Sequence, residues 1–340
     1  MKGRSILLDH LGARKAAALM VDGQLDDLLV EADAPAPGTI YRAVADRPVK
    51  GQGGVFLKTP DGAAYLRQAK GIRQGETLTI QVTGYAEPGK AIPVTTRVLF
   101  KSRYAIVTPH APGLNISRRI RDDDERDRLL VLAHEGMEGE DMGLILRSAC
   151  AGADADDIAA DIAEMRTMAD TVMADLSDHA EVLVLGDDPW QLAWRDWSDP
   201  AEIVQDPGAF DTHGATDAVA AARDARVPLG AQASMFVEPT RALVAVDINT
   251  GADGSFASGL KANIAAARAL PRALRIRGLA GQITLDLAPM AKKDRRGFEA
   301  ALRAAFRADE VETVLAGWTP LGHYELQRKR ARIPLSEVIG

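Results

Sequence analysis

Two apolar, strand-like runs separated by one long helical segment constrain the fold of this chain more than any other feature. The runs are ALVAVD (residues 242–247) and QITLDL (residues 282–287). An Ala- and Arg-rich segment from about Leu260 to Ile276 predicts a helix between them. Two strands joined by a single crossover helix lie parallel in one sheet. The order continues with a further helix and strand, so we predict a β-α-β-α-β unit that begins near Val227.

Each of the two runs carries an aspartate at or near its carboxyl end, Asp247 and Asp286. If the strands are neighbours, both carboxylates emerge at the sheet edge where open α/β sheets bind ligands. Adjacent carboxylates repel unless a proton or cation intervenes, and carboxylates plus substrate phosphate commonly hold Mg²⁺. Asn249, two residues beyond Asp247, could orient a ligand or water. The spacing leaves one alternative open, in which these residues only turn the chain or cap a loop.

The charge is distributed unevenly along the chain. The net charge is −7, but residues 268–334 contain 14 Lys and Arg against 7 Asp and Glu, a local charge of +7 that leaves −14 elsewhere. A polyanionic substrate would explain basic residues around an acidic metal site. A solvated helix face explains them equally well. The residues concerned are Arg268, Arg272, Arg275, Arg277 and the cluster Lys292 to Arg296.

The rest of the chain predicts smaller units. Residues 1–35 predict two strands, with Asp22-Gly23 as a hairpin signal. From residue 39 to about 99, short β-rich runs alternate with turns, a pattern typical of a small five-stranded barrel. An acidic helix start at DDDER and a helix from about Asp154 to Leu176 then indicate a compact α+β unit.

Two classes of protein are disfavoured by composition. No run of about 18 apolar residues occurs, so we expect no membrane span and a cytoplasmic protein. The single cysteine, Cys150, excludes an intrachain disulfide and a zinc site built from several thiolates, so we expect no zinc.

The spacing of Trp190, Trp194 and Trp197 predicts one apolar helix face in the core. None of the six histidines shows metal-ligand spacing, and we assign none of them, His323 included, a catalytic role.

Three ordered blocks resemble the catalytic core of the ribonuclease E/G family. They are EPTRALVAVDINTG (residues 238–251), LRIRGLAGQITLDLAPM (residues 274–290) and GWTPLGHYELQRKR (residues 317–330). The resemblance implies an endoribonuclease that hydrolyses single-stranded, A/U-rich RNA to 5′-phosphate and 3′-hydroxyl ends. It also implies that Asp247 and Asp286 bind Mg²⁺, with Mn²⁺ as a substitute, and that Asn249 supports the site.

The barrel region resembles the S1 RNA-binding domain of the same family. By position, Phe56 and Tyr65 match its base-stacking aromatics and Lys90 matches its backbone-contacting lysine. Barrel core is the alternative for the two aromatics. We also expect Arg296, in the basic cluster, to contact RNA.

Residues 113–129 and 142–149 resemble the family's sensor of an RNA 5′-monophosphate. There an arginine followed by threonine grips the terminal phosphate, and this chain has Arg147 and Ser148. Serine keeps the hydroxyl donor, and arginine can bind phosphate bidentately. The resemblance therefore implies cleavage stimulated by a 5′-monophosphate. Asn115 departs from the pattern, because the family usually has glycine there.

The resemblance also implies a fold assembled from several subdomains. We expect an α/β and β chain in which a ribonuclease-H-like fold carries an inserted S1 (OB-type) barrel and a 5′-sensor α+β unit, followed by a deoxyribonuclease-I-like α/β catalytic subdomain. The predicted ranges are 1–35 (first segment of the ribonuclease-H-like fold), 36–100 (barrel), 101–178 (sensor), 179–226 (second, shortened segment of the ribonuclease-H-like fold) and 227–340 (catalytic).

Longer family members continue past the terminal signature with a zinc-link Cys-Pro-x-Cys element, which this sequence lacks. We therefore expect no zinc-bridged assembly, and a homodimer of another kind is left open. Two other functions are also left open. One is an RNA-binding protein with a vestigial nuclease site, and the other is a structural or assembly factor with an acidic surface.

Overall fold

The computed structural model describes residues 3–48, 53–69, 71–230 and 232–339. The chain forms two compact units. The first comprises Met1–Ala32 together with Ala201–Gly340, and the second comprises Asp33–Pro200. Within the described residues, no helix is both long enough and apolar enough to cross a membrane.

The elements follow one another in three stretches. The chain begins with β1 (Arg4–Leu11), β2 (Arg14–Val21) and β3 (Gln24–Val30). The middle stretch contains β4 (Ile40–Pro48), β5 (Val55–Thr59), β6 (Gly62–Leu66), β7 (Thr77–Val82), β8 (Ile92–Thr95), β9 (Phe100–Lys101), β10 (Ala105–Thr108), β11 (Leu114–Ile116), α1 (Asp123–Gly136), β12 (Gly143–Leu146), α2 (Ala155–Met173), β13 (Glu181–Val184) and α3 (Pro189–Asp196). The last stretch contains β14 (Glu202–Val204), α4 (Ala209–Thr212), α5 (Ala215–Ala222), β15 (Arg226–Gly230), β16 (Ala233–Pro239), β17 (Val244–Asn249), α6 (Phe256–Arg277), β18 (Gly281–Asp286), α7 (Arg295–Ala308), β19 (Thr313–Trp318), β20 (Tyr324–Arg328) and α8 (Leu335–Val338).

The first unit contains a six-stranded sheet in the order β15-β16-β17-β18-β20-β19. Strands β17 and β18 are parallel and are joined by α6, which confirms the predicted crossover. Helices α6 and α7 pack on one face of this sheet, where Phe298 and Leu302 of α7 are fully buried. Alanines on α6 allow the helix to approach the sheet closely, and its apolar stripe buries Leu270 and Leu274.

A second, four-stranded sheet in the same unit has the order β14-β1-β2-β3. The sequence predicted two strands over residues 1–35, and this was wrong because the second apolar run is itself a hairpin. The turn at Asp22-Gly23 is where predicted, and both residues have positive φ (49° and 77°), the conformation that tight hairpins require. The core of this sheet includes Leu7 and Leu25 and also contacts Phe210 of α4.

The second unit contains the five-stranded barrel that the sequence predicted. Strands pair in the order β4-β5-β6-β8-β7, and β7 pairs back with β4 to close the barrel. Strand β13 also pairs with β4, through residues 40–42 of that strand. Tyr41, Leu57 and Ile80 are fully buried inside the barrel.

The second unit also contains the predicted α+β region. Its sheet has the order β11-β12-β10-β9, and α1 and α2 share its core through Leu129, Ile158 and Ile162. Helix α1 begins where the acidic run predicted. The Asp122 carboxylate accepts a hydrogen bond from the Glu125 backbone, and acidic side chains fill the first turn, where they favour the helix dipole.

Candidate active site

Asp247 and Asp286 are direct neighbours across the parallel pair β17 and β18. Their Cα positions are in register, as are Val246 and Leu285 one step earlier. Successive side chains of a strand point to opposite faces. Because Val246 and Leu285 are buried under the helices, Asp247 and Asp286 are on the opposite face, and both are exposed. The sequence therefore predicted correctly that these two carboxylates share one edge of the sheet.

Asn249 lies on the same exposed face, two residues beyond Asp247. Its side-chain nitrogen Nδ2 donates a hydrogen bond to Oδ2 of Asp247 at 2.7 Å. This contact holds one carboxylate oxygen in a fixed direction. Asn249 thus orients Asp247, the kind of support that a ligand-binding carboxylate usually receives.

The carboxylate pair has the donor chemistry that a hard divalent cation requires. Among the described residues, no Lys or Arg forms an ion pair with either aspartate, so neither charge is balanced by a fixed basic side chain. The same residues contain no group of three or more His, Cys, Asp or Glu side chains that could hold a metal ion. Two carboxylates fit Mg²⁺, which commonly takes one or two from the protein and keeps several waters.

Two residues that fix the segment after Asp286 were not predicted from the sequence. Asn263 of α6 is fully buried, donates to the Ala288 carbonyl at 2.8 Å and accepts from the Ala288 amide at 3.0 Å. Gly259 lies one turn earlier, and a Cβ there would be 1.9 Å from the Pro289 carbonyl oxygen. Helix α6 therefore clamps the chain two to three residues past Asp286. An asparagine in an otherwise apolar helix stripe was the signal that could have revealed this role.

His323 is a third residue that was not assigned to the site from the sequence. It immediately precedes β20, a strand that the β-α-β-α-β prediction omitted, and β20 pairs with β18. The imidazole Nε2 atom is 3.6 Å from Oδ1 of Asp286, and the two side chains are 38% and 70% exposed.

Most of the basic residues on α6 bind protein groups. Arg272 donates to the Leu25 carbonyl at 2.6 Å, and Arg277 donates to the Asp224 carbonyl at 2.9 Å. Arg275 is paired with Asp26 at 3.0 Å. These three arginines tie α6 to its own unit, so the local charge of +7 overstates the positive charge available to a ligand.

The basic cluster that begins α7 is more open. Lys292, Lys293 and Arg296 are exposed. Arg295 instead stacks on Trp318, with its guanidinium carbon 4.1 Å from the ring centroid. Arg296, the predicted RNA contact of this cluster, is therefore accessible.

The predicted stacking aromatics of the second unit are neighbours on the barrel surface. Phe56 and Tyr65 are paired in register on β5 and β6, with ring centroids 5.2 Å apart. Phe56 is 38% exposed, whereas its strand neighbours Val55 and Leu57 are buried. Lys90, in the loop between β7 and β8, is 67% exposed and lies 2.6 Å from Glu87. The aromatics thus face outward, and the barrel-core alternative is wrong for Phe56.

Arg147 and Ser148 lie at the end of β12, where Ser148 begins a short 3₁₀ turn. The Arg147 guanidinium donates to the Ser102 carbonyl at 2.6 Å, the Arg195 carbonyl at 3.0 Å and the Asp196 carboxylate at 2.7 Å. The predicted phosphate ligand is therefore held by protein oxygens.

Trp194 corrects the prediction of an apolar tryptophan face on α3. Trp197 is buried, but Trp194 is 54% exposed. Its ring is covered by the guanidinium of Arg103, whose carbon lies 4.1 Å from the ring centroid. The helix has only two turns and presents only a portion of its surface to the core.

The protein thus contains an α/β unit that carries paired aspartates at the ends of two strands. Its other unit contains a closed barrel with aromatic side chains on the surface. The Ribonuclease E/G family profile matches residues 100–206 and 195–331, and the chain belongs to that family.

Three relatives illustrate the similarity. Ribonuclease G of Salmonella typhimurium (strain SL1344) is 28% identical over 315 residues, covering 79% of this chain and 62% of the relative. Ribonuclease E of Nostoc sp. (strain PCC 7120) is 26% identical over 382 residues, covering 95% and 56%. Ribonuclease G of Haemophilus influenzae is 25% identical over 386 residues, covering 95% and 78%. The chain thus spans about 60% of the length of the first two.

Proposed function

We propose that this chain is a Mg²⁺-dependent endoribonuclease that hydrolyses single-stranded RNA during RNA processing or decay. The observation that carries the proposal is the register pairing of Asp247 and Asp286 on an exposed sheet face, with Asn249 bonded to Asp247. Membership of a family whose relatives are named Ribonuclease G and Ribonuclease E supports the same reaction.

The three side chains have distinct roles in the proposed reaction. Asp247 and Asp286 would hold the ion, and Asn249 keeps one oxygen of Asp247 directed. When bound, Mg²⁺ supplies a polarised water and neutralises charge at the scissile phosphate. In the hydrolysis, the water oxygen bonds to phosphorus and the P–O3′ bond breaks. The departing 3′ oxygen takes up a proton, which leaves 5′-phosphate and 3′-hydroxyl ends.

Recognition of single-stranded RNA is assigned to a second set of residues. Phe56 and Tyr65 would stack on unpaired bases, a contact available in single strands and tolerant of sequence. Lys90 and Arg296 would contact the backbone. The finer subdomain assignment belongs to the same proposal: a ribonuclease-H-like fold, an S1-type barrel, a 5′-sensor unit and a deoxyribonuclease-I-like catalytic subdomain. Assembly as a homodimer stays a prediction.

Stimulation by a 5′-monophosphate is proposed through Arg147 and Ser148. Three hydrogen bonds already engage the Arg147 guanidinium, one of them with Asp196, so a phosphate would use the remaining N–H donors or replace that carboxylate. Comparing cleavage of 5′-monophosphorylated and 5′-hydroxyl forms of one RNA tests this step. We expect faster cleavage of the monophosphorylated form, and the difference should disappear in Arg147→Gln. Equal rates for the two forms in the wild type would overturn the proposed sensor while leaving the nuclease intact.

Substitution of Asp286 separates a nuclease from an RNA-binding protein with a vestigial site. We expect Asp286→Asn to abolish cleavage of an A/U-rich oligonucleotide while RNA binding is kept, because the amide removes the ion-binding charge but little volume. Asp217→Asn, an exposed aspartate on α5, is the matched control and should cleave like the wild type. RNA binding without cleavage by the wild type would favour the vestigial-site alternative.

A further inference from the structure

A row of four side chains crosses the open face of the six-stranded sheet and ends at the carboxylate pair. Arg226 of β15 pairs with Phe236 of β16, and Phe236 pairs with Asp247 of β17. Asp247 in turn pairs with Asp286 of β18. Because neighbouring strands lie about 4.8 Å apart, the backbone of Phe236 is one strand spacing from Asp247, and that of Arg226 is about 10 Å from it. An aromatic ring and a guanidinium group therefore lie in line with the two carboxylates.

The ring of Phe236 lies outside the hydrophobic core. Its strand neighbours Met235 and Val237 are buried in the core that the sheet shares with α6 and α7, so Phe236 is on the opposite face. The ring is half-buried, and it is not among the side chains that pack against this core. The other residues on this face of β16, β17 and β18, besides the two aspartates, are small, polar or acidic: Ser234, Glu238, Ala245, Asn249, Gln282 and Thr284. Phe236 therefore offers a flat apolar surface in otherwise polar surroundings.

The guanidinium group of Arg226 is available to a ligand. The side chain is exposed and, within the residues that the structure describes, it forms no salt bridge. The arginines of α6 differ, because Arg272, Arg275 and Arg277 bind protein groups. The backbone amide of Arg226 donates to the Asp224 carboxylate at 2.9 Å, which fixes the start of β15. An exposed guanidinium can bind phosphate oxygens with two parallel hydrogen bonds.

We propose that Phe236 stacks on the base of a nucleotide next to the scissile phosphate, and that Arg226 contacts the phosphate on the far side of that base. The proposal rests on the proposed function, because it takes the scissile phosphate to lie at Asp247 and Asp286. Stacking needs an unpaired base and accepts any of the four, so this subsite selects single strands rather than a sequence. It acts on the nucleotide at the cleaved bond, separately from the stacking proposed for the barrel.

Removing the base from the RNA and the ring from the protein tests the contact. Cuts by the wild type are mapped on an A/U-rich single-stranded oligonucleotide, and an abasic ribose is then placed on either side of a mapped cut. We expect Phe236→Ala to lower kcat/KM by about 5- to 150-fold on the intact RNA. One of the two abasic positions should cost the wild type a similar factor. That position should cost Phe236→Ala nothing further, because the contact is already lost.

Two variants make the result specific to the ring. Phe236→Trp should restore most of the activity that Phe236→Ala loses, because a larger ring can still stack. Val314→Ala is the matched control, since Val314 is an exposed apolar residue at the other edge of the same sheet, and it should cleave like the wild type. Equal abasic costs in Phe236→Ala and in the wild type, at both positions, would overturn the stacking.

The salt dependence of RNA binding tests Arg226. Each phosphate contact to a single strand contributes about 0.7 to the slope of log affinity against log salt concentration. We expect Arg226→Gln to reduce the slope by about this amount, whereas Val314→Ala should leave it unchanged. An unchanged slope in Arg226→Gln would overturn the phosphate contact.

Photocrosslinking separates failure of this subsite from failure of the proposed nuclease. The RNA carries 5-iodouridine, which on irradiation bonds to an aromatic side chain in contact with it, and mass spectrometry of peptides locates the bond. In Asp286→Asn, which should bind RNA without cutting it, we expect a crosslink at Phe236 that is lost when Phe236→Leu is added. Crosslinks on the barrel without one at Phe236 would overturn the subsite alone. A wild type that binds the RNA but never cuts it would overturn the nuclease, and with it the placement of Phe236 at a scissile phosphate.

Discussion

Replacing Asp309 by alanine tests whether arginines of the basic C-terminal region serve the fold. Asp309 follows α7, and its side chain is fully buried. One carboxylate oxygen lies 2.5 Å from Arg328 of β20, and the other accepts a hydrogen bond from Arg275 of α6. Burial lowers the pKa of Arg328, although the Asp309 charge acts in the opposite direction. One anion therefore compensates two buried cations within the first unit.

The expected cost follows from what the arginines lose. Without Asp309, Arg275 keeps its partner Asp26 at 3.0 Å, and Arg328 keeps its hydrogen bond to the neutral Thr313 hydroxyl, at 2.9 Å. Removing one partner of a buried ion pair costs about 3 to 5 kcal/mol. For a unit of this size, that loss lowers the melting temperature by roughly 6 to 20 °C.

Urea and thermal unfolding followed by circular dichroism measure the effect. Arg268→Ala, an exposed site in the middle of α6, is the control and should change stability by less than about 0.5 kcal/mol. Adding Arg328→Met to Asp309→Ala should recover some of the loss, because it removes the cation left without its anion. A loss below about 1 kcal/mol for Asp309→Ala would refute the argument that this pairing is a main support of the unit.

Three further predictions concern RNA binding, pH and thiol chemistry. Phe56→Ala should weaken binding of single-stranded RNA by about 1 to 3 kcal/mol, as measured by fluorescence anisotropy, whereas Leu176→Ala, also exposed in the second unit, should not. Hydrogen bonds from Arg128 and a backbone amide lower the pKa of Glu125 from 4.5 to about 2, so its stabilising contribution is present above pH 4.5 and is lost as the pH falls toward 2. The free energy of unfolding should therefore fall less steeply with decreasing pH over this range in Glu125→Gln than in the wild type. An equal slope in the two proteins would contradict the lowered pKa of Glu125. Burial raises the pKa of the Cys150 thiol to about 12, so a disulfide reagent at about pH 8 should label it only after unfolding, and rapid labelling of the native protein would contradict its burial.

The sequence predicted the carboxylate pair because its signal is local. The pattern consists of an apolar run with an aspartate at its end, a crossover helix and a second such run. Because a crossover helix joins parallel strands, this order identifies which strands are parallel. Register then follows from which side chains must be buried, since a slip of one residue would expose Val246 and bury Asp247. The barrel was predictable for a similar reason, because each short strand is bounded by its own turn residues.

Other features of the site depend on contacts between distant segments. The position of His323 depends on β20 pairing between β18 and β19, and no local pattern in HYELQRKR distinguishes an inner strand from a tail. The partners of Arg275 include Asp26, more than 240 residues earlier. Residue spacing cannot identify such a pair, so the arginines of α6 were equally compatible with a solvated face and with bound RNA.

The exposure of Trp194 and Phe56 shows a different limit. Apolar spacing identifies which residues share a face, but it does not show whether another element covers that face. Trp197, directly after α3, is buried, whereas Trp194 of α3 is 54% exposed. On β5, Phe56 alternates with two buried residues, and this alternation is visible in the sequence only once the strand is known to have a solvent face.

Cleavage of a 5′-monophosphorylated, A/U-rich single-stranded RNA tests the central claim most directly. The wild type and the Asp247→Asn/Asp286→Asn double variant are compared with Mg²⁺ or with EDTA, and RNA binding is measured on the same samples. We predict internal cuts by the wild type only with Mg²⁺, and RNA binding without cuts by the double variant. Cleavage that survives in the double variant, or binding without cleavage by the wild type under every condition, would contradict it.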